Sequence, residues 1–155
     1  MGAIFNVFPL ILIPVLIYNI WAFGSTAAGT SGADVRAHLE DRMFAIPMAS
    51  QEASLAGAMQ SVEWVVSFGD LMVLISLVLL FIELLKSTST GTTAIFNHAL
   101  SMLVFIICLV EFLLHPAFAT SAFFMIMIMS LLDVLAGVVV TIVSARRDVE
   151  FAGQN

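Results

Sequence analysis

Four long apolar stretches alternate with polar segments along this chain, and their lengths predict its architecture. The stretches cover about residues 4–23, 70–86, 94–115 and 118–144. An apolar run of roughly 18 or more residues matches the ~30 Å hydrocarbon core of a bilayer when it forms a helix. The sequence therefore predicts an all-α membrane protein in which four transmembrane helices form a single membrane domain, residues 1–155.

Prolines and aromatic residues predict further features of the first helix and of the turn between the third and fourth helices. Pro9 and Pro14 each remove a backbone donor, which predicts a kink in the first helix. Tyr18 and Trp21 near its end fit an interfacial aromatic belt. Because this stretch contains prolines and lacks a positively charged leader, we interpret it as a membrane helix and not as a signal peptide. Pro116 predicts a tight turn before the fourth helix.

The segment between the first two helices, residues 24–64, is predicted to lie outside the membrane. Its start from Gly24 to Ala33 consists mainly of small residues and predicts a flexible link. Asp34 is then expected to cap a short helix that extends to Met43.

Residues 44–68 alternate between apolar and other side chains, which favours a β-hairpin lying over the bundle. Phe44 and Ile46 belong to the first alternating run, and Trp64 belongs to the second. An interfacial helix over the alanine-rich residues 51–59 is the alternative interpretation.

Composition supports the membrane assignment and excludes one class of partner. The chain is 61% hydrophobic and 10% charged, whereas soluble domains are about 45–50% apolar and about 25% charged. The lipid bilayer is thus the expected environment. Five basic residues without a basic stripe argue against nucleic acid as a partner. The single cysteine, Cys108, excludes an intramolecular disulfide and is interpreted as a structural thiol.

Basic residues beside the membrane ends predict the orientation. Lys86, Arg146 and Arg147 fall on one side of a four-span protein, and the turn at Pro116 carries no basic residue. The positive-inside rule then places both termini in the cytoplasm and residues 24–64 on the opposite side, which is the periplasm if the membrane is the bacterial inner membrane.

Ionisable and polar side chains inside the apolar stretches form the main candidate site. Each charge exposed to lipid costs an estimated ~2.5–3.5 kcal/mol, so these side chains are expected to turn inward. Distances from the predicted turns place Glu83 level with His98. They place Asp133 near the level of Ser101, about one helical turn from His98. The sequence thus predicts an intramembrane polar cluster of these four residues near the cytoplasmic side. Structural pairing is the alternative to a transport or catalytic role, and Lys86 is a possible partner for Glu83.

Three further residues are secondary candidates with simpler interpretations. Asp70 opens the second helix and is expected to act as a cap, although Ser67 could also take this position. Glu111 and His115 are four residues apart on the third helix and are expected to form a local hydrogen-bonded pair.

Metal binding and hydrolysis receive little support from the motifs. Glu, His and Asp suit a divalent ion, but the compact ligand spacings of helical metal sites are missing. Ser101, His98 and Asp133 could formally compose a hydrolytic triad, but no nucleophile elbow accompanies them. We therefore expect no cofactor, no metal site and no enzymatic activity.

Several short strings resemble those of uncharacterised small four-span inner-membrane proteins of bacteria. The resemblance covers mainly residues 65–148 and rests on these strings: Phe68-Gly69-Asp70, Glu83-Leu84-Leu85-Lys86, His98-Ala99-Leu100-Ser101-Met102, Leu131-Leu132-Asp133-Val134 and Ala145-Arg146-Arg147-Asp148. It implies a location in the bacterial inner membrane and no particular activity.

Two functional hypotheses follow from size and from the polar residues. The first is a homo-oligomer or an accessory subunit of a larger membrane complex, in which buried polar groups hold helices together. The second is proton or ion translocation through the polar cluster at Glu83, His98 and Asp133.

Overall fold

The computed structural model describes residues 8–53, 59–86 and 92–152. The helices and strands follow in the order α1 (Leu12–Ala27), α2 (Gly32–Glu40), β1 (Arg42–Ala53), β2 (Met59–Ser67), α3 (Phe68–Lys86), α4 (Thr92–Leu114) and α5 (Ser121–Ala152). A short 3-10 turn, Pro116–Phe118, joins α4 to α5. The chain is therefore mostly helical, with one small antiparallel sheet.

Three helices of the described chain are long and apolar enough to cross a bilayer. They are α3, the Ile95–Leu114 part of α4 and the Ser121–Val143 part of α5. α1 is apolar but has only 16 residues, which corresponds to about 24 Å of helix. The membrane assignment thus rests on these three helices.

α1 begins at Leu12, later than the apolar stretch that starts near residue 4. Residues 1–7 lie outside the described chain. Pro9 precedes the helix and accepts a hydrogen bond from the Leu12 amide at 3.1 Å. Pro14 lies in the first helical turn, where its missing donor interrupts no intrahelical hydrogen bond. The two prolines therefore lie before the helix and within its first turn. Neither removes an intrahelical hydrogen bond, so neither is positioned to produce the predicted kink.

The predicted flexible link is shorter than expected because α1 continues through Ala27. Gly29, with a φ of +92°, allows the chain to turn after the helix. The cap of α2 is Ser31 and not Asp34, since the Ser31 hydroxyl oxygen accepts a hydrogen bond from the Asp34 amide at 3.2 Å. Asp34 instead occupies the first helical turn, where its carboxylate accepts a hydrogen bond from that hydroxyl at 2.7 Å.

The β-hairpin prediction is confirmed. β1 and β2 pair antiparallel, with Phe44 opposite Val66 and Ile46 opposite Trp64. The alternative interfacial helix fails because residues 51–53 belong to β1, while residues 54–58 lie outside the described chain. Among its described residues, the hairpin packs mainly on itself and on α3, which continues directly from β2. This part of the hairpin therefore projects from the bundle instead of covering it.

The core lies where α1 meets the turn between α4 and α5. Tyr18 is 1% exposed, which corrects its predicted place in an interfacial belt. Its ring lies 5.3 Å from the Phe118 ring and 4.7 Å from the Phe123 ring. Its hydroxyl lies 3.1 Å from the Ala117 carbonyl and 2.9 Å from the Thr120 hydroxyl. A buried tyrosine usually has such partners, because its hydroxyl group loses its hydrogen bonds to water on burial.

α5 is displaced from its predicted bounds at both ends. Pro116 does produce the expected turn, but α5 starts only at Ser121, after the Thr120 hydroxyl oxygen accepts a hydrogen bond from the Phe123 amide at 3.1 Å. The helix continues past the predicted end at Ser144 as far as Ala152.

Candidate functional site

Glu83 is the centre of a buried polar network at the end of α3. Its side chain is fully buried. One carboxylate oxygen accepts a hydrogen bond from the Leu10 amide at 3.0 Å, and the other accepts one from the side-chain amide of Asn97. The Lys86 ammonium lies 3.2 Å from both oxygens and also donates to the Phe8 carbonyl at 3.0 Å. Glu83 thus joins the segment before α1 to α3 and α4.

Asp133 and Ser101 extend this network to α5. Asp133 is 1% exposed, and the fully buried Ser101 hydroxyl lies 2.5 Å from its carboxylate. The same hydroxyl lies 3.1 Å from the Asn97 carbonyl. A hydroxyl has one proton, and donation to the carboxylate is the stronger, charge-assisted bond. Glu83, Asn97, Ser101 and Asp133 thus follow one another at hydrogen-bonding distances, and we call these four residues the polar network.

His98 lies beside the polar network, packed against the backbone of α5. A Cβ atom placed on Gly137 would overlap the His98 ring, so the imidazole occupies the space that this glycine leaves open. Gly137 follows Asp133 by one helical turn. Within the described part of the chain, neither buried ring nitrogen of His98 has a hydrogen-bond partner, and neither does the side-chain oxygen of Asn97.

The structure pairs the predicted cluster residues differently from the sequence-based expectation. Ser101 and Asp133 meet directly, and Glu83 pairs with Lys86, as its alternative interpretation proposed. The recorded partner of Glu83 on α4 is Asn97, one residue before the expected His98. Successive residues of a helix point about 100° apart. Asn97 therefore faces α3 while His98 faces α5.

The secondary candidates lie outside the polar network. Asp70 accepts hydrogen bonds from the Ser67 amide at 2.9 Å and from the Ser67 hydroxyl at 2.8 Å. The Ser67 oxygen accepts in return from the Asp70 amide at 3.2 Å, so Ser67 is the cap. Glu111 accepts from the side-chain amide of Asn19 at 3.1 Å, and His115 accepts from the Ala117 amide at 3.3 Å. Each of these two residues thus has its own partner in place of the expected local pair.

Several partners were missed by sequence reasoning. Asn97, which donates to Glu83, is not among the residues predicted for the cluster. Asn19 interrupts an apolar stretch, and that interruption was the available signal for a partner of Glu111. Nothing in the side chain of Leu10 indicates that its backbone amide would be a partner of Glu83. It is available because it precedes a helix, where backbone donors lack intrahelical acceptors.

The polar network is confined to one half of the bundle. We call that half the basic end, because Lys86 lies there, and the opposite half the hairpin end. Towards the hairpin end, the next buried residues of α4 are Val104 and Cys108. Ser130 of α5 donates to its own helix, to the Met127 carbonyl at 2.7 Å. Among the described residues, no recorded hydrogen bond links the network to Glu111.

Among the residues that the structure describes, no three His, Cys, Asp or Glu side chains are grouped so that they could hold a metal ion. Comparison of the chain with protein families, with curated proteins and with solved structures finds no match. The arrangement is suited to holding helices together.

Proposed function

We propose that this protein is a small integral membrane subunit that forms an oligomer or belongs to a larger membrane complex, as an accessory or assembly component. In this proposal α1 and the three longer helices give four spans. Both termini lie in the cytoplasm, and the membrane is the bacterial inner membrane. The support for this orientation is that Lys86 and the end of α5, beyond Arg146 and Arg147, share the basic end.

The observation that carries the proposal is the projecting hairpin with its exposed apolar side chains. Phe44 is 48% exposed, Ile46 is 42% exposed and Trp64 is 59% exposed. A two-stranded hairpin alone is marginally stable in water, and exposed apolar patches mark interaction sites. Since its main contact with the helices is the one with α3, we propose that another subunit covers the hairpin.

The polar network supports a structural role for the membrane helices. The carboxylates of Glu83 and Asp133 both have donors on neighbouring elements. Hydrogen bonds of this kind between membrane helices contribute about 0.6–2 kcal/mol each. Such a network holds the helices of a small bundle in one arrangement. A subunit that binds a partner needs this fixed arrangement.

The test is the size and composition of the assembly recovered from native membranes in mild detergent. We expect a defined species larger than the monomer by light scattering and native mass spectrometry. The double variant Phe44→Ser, Trp64→Ser should release monomer while helical circular dichroism stays unchanged. The matched control is Glu63→Gln, which removes the exposed 3.3 Å ion pair with Arg42 but keeps the apolar side chains. A wild-type protein that is monomeric and has no bound partner would refute the proposal.

A second candidate function, proton translocation, is favoured by His98. Its ring nitrogens are buried and have no recorded partner in the described chain. The ring packs on Gly137, one turn from Asp133. A polar chain also leads from Lys86 through Glu83 and Asn97 to Ser101 and Asp133. This run of polar groups does not extend past Val104 and Cys108 towards the hairpin end. An assembly would therefore have to supply the other half of a proton path.

Proteoliposomes that contain a pH-sensitive dye test this second function. Wild-type protein should acidify the lumen under an imposed potential, and Asp133→Asn should abolish the flux while the assembly stays intact. Asp70→Asn is the control, since Asp70 lies at the hairpin end and serves only the cap with Ser67. Absence of flux in the wild type, or equal flux in Asp133→Asn, would reject translocation.

A further inference from the structure

A cavity of about 560 Å³ lies between α1, α2 and the start of α3, at the hairpin end. We call it the α1–α3 cavity. Sites for small molecules have volumes of about 300–1,000 Å³ and are mainly apolar, with a few polar groups at fixed positions. The cavity is separate from the polar network, and neither the proposed assembly nor the proposed proton transfer uses it.

The wall of the cavity is apolar and reaches the outer surface of the bundle. Ile17, Tyr18 and Trp21 of α1 form one side. Leu39 of α2 lies on another, and Phe68 and Met72 of α3 complete the wall. Ile17 is 48% exposed and Phe68 is 47% exposed. Because both side chains also belong to the surface of helices that we place in the bilayer, an alkyl chain could enter from the side without crossing water.

The remaining lining is polar and lies at the hairpin end of α1 and around α2. It consists of Ser25, Thr30, His38 and Asp41. His38 and Asp41 lie 3.2 Å apart, with about two thirds of each side chain exposed. The cavity therefore joins an apolar wall to a polar rim, the arrangement that an amphiphile requires.

The charges near this rim favour a cationic head group. Asp41, which lines the cavity, directly follows α2, and two further acidic residues, Asp34 and Glu40, belong to α2. The two arginines of this region are engaged elsewhere. Arg36 donates to the Pro116 carbonyl at 2.9 Å, and Arg42 pairs with Glu63 at 3.3 Å. Among the described residues, no arginine or lysine lines the cavity, whereas the Asp41 carboxylate does.

We propose that the α1–α3 cavity binds an aminophospholipid of the surrounding bilayer. One acyl chain lies along Ile17, Trp21 and Met72, and the primary ammonium of the head group lies at the Asp41 carboxylate. The lipid thus seals the gap between α1, α2 and α3. Its recognition depends on the charge of the head group and not only on apolar contact.

The two tryptophans of the chain allow a direct test. In the Trp64→Phe variant, the indole of Trp21 in the cavity wall is the only one left. In mild detergent this variant is titrated with phosphatidylethanolamine that carries bromine atoms on its acyl chains, which quench an indole on contact. We expect saturable quenching at one lipid per protein chain. Brominated phosphatidylglycerol should need about tenfold more lipid, the equivalent of one charge-assisted hydrogen bond.

Variants of the rim and of the lining distinguish this site from general lipid contact. In the Trp64→Phe background, Asp41→Asn should remove the preference for phosphatidylethanolamine, whereas Glu40→Gln, a neighbouring acid that does not line the cavity, should keep it. Ser25→Leu should weaken quenching by filling the cavity. Thr26→Leu, the same kind of change outside the lining, should not. Circular dichroism verifies that each variant is folded.

Two outcomes would overturn the proposal. Quenching that rises without saturation and equally for both lipids would mean that Trp21 meets only the general lipid layer around the protein. Saturable quenching that Asp41→Asn and Ser25→Leu leave unchanged would place the bound lipid elsewhere.

Discussion

The side-chain amide of Asn97 donates a hydrogen bond to the fully buried carboxylate of Glu83, and this contact joins α3 to α4. The neighbouring His98 packs on Gly137 of α5 instead. Two successive residues of α4 thus contact different helices: Asn97 contacts α3 and His98 contacts α5. This division of contacts places Asn97 in the polar network and leaves the ring nitrogens of His98 without a recorded partner.

Replacing Glu83 by leucine should lower the free energy of unfolding by about 2–3 kcal/mol, because charged and neutral donors would lose their acceptor in a buried site. The donors concerned are the Leu10 amide, the Lys86 ammonium and the Asn97 amide. Unfolding in mixed micelles with increasing denaturing detergent measures the change. Glu63→Leu, at an exposed ion pair on the hairpin, is the control and should leave the helical unfolding transition unchanged.

Gly137→Ala should destabilise the bundle by about 1–3 kcal/mol, since the new methyl group would overlap the His98 ring. Combining it with His98→Ala should recover most of this loss, and a double-mutant cycle in the same unfolding assay measures the coupling. Gly24→Ala is the matched control. Gly24 lies in α1 and a Cβ there meets no atom within 4 Å, so this change should stabilise by about 0.5–1 kcal/mol. Equal effects of the two glycine variants would contradict the packing of His98 on α5.

Tyr18→Phe should cost about 1 kcal/mol of stability through loss of the phenol contacts with the Ala117 carbonyl and the Thr120 hydroxyl. The ring contacts with Phe118 and Phe123 stay in place, so the fold should not change. Thermal unfolding followed by circular dichroism gives the value. If Tyr18→Phe has no effect alone or in combination with Thr120→Val, the hydroxyl does not contribute to the core.

Ser67→Ala should loosen the first turn of α3, because the cap shared by Ser67 and Asp70 would lose its side-chain acceptor. N-cap replacements of this kind cost about 0.5–2 kcal/mol. Hydrogen exchange should accelerate at Gly69 and Asp70 and remain slow near Ser76, in the middle of the helix. Ser76→Ala is the comparison: the Ser76 hydroxyl donates only to the Met72 carbonyl of its own helix, so its loss should leave exchange at the cap unchanged. Uniform acceleration along α3 in Ser67→Ala would argue against a local cap.

Local patterns in the sequence were sufficient for the elements of this fold. Apolar stretches of bilayer length predicted helices at the positions of α3, α4 and α5. Alternation predicted the hairpin that includes the Ile46–Trp64 pair. Each of these signals depends on neighbours within one segment, where 3.6-residue or two-residue periodicity applies. The ends of the elements were predicted less well, since a serine at Ser31 or Ser67 can cap a helix as readily as a nearby aspartate.

The partners in the site depended on distances between segments, which periodicity does not contain. The sequence by itself determined that Glu83, Ser101 and Asp133 would turn away from lipid, because exposure of such groups to hydrocarbon is costly. Only the tertiary structure decided that Asn97 and not His98 meets Glu83, that the Leu10 amide joins them, and that Tyr18 is buried. The physical reason is that a rotation of one residue, about 100°, or a shift of one turn, about 5.4 Å, changes every partner across a helix interface while leaving the hydrophobic pattern of each helix intact.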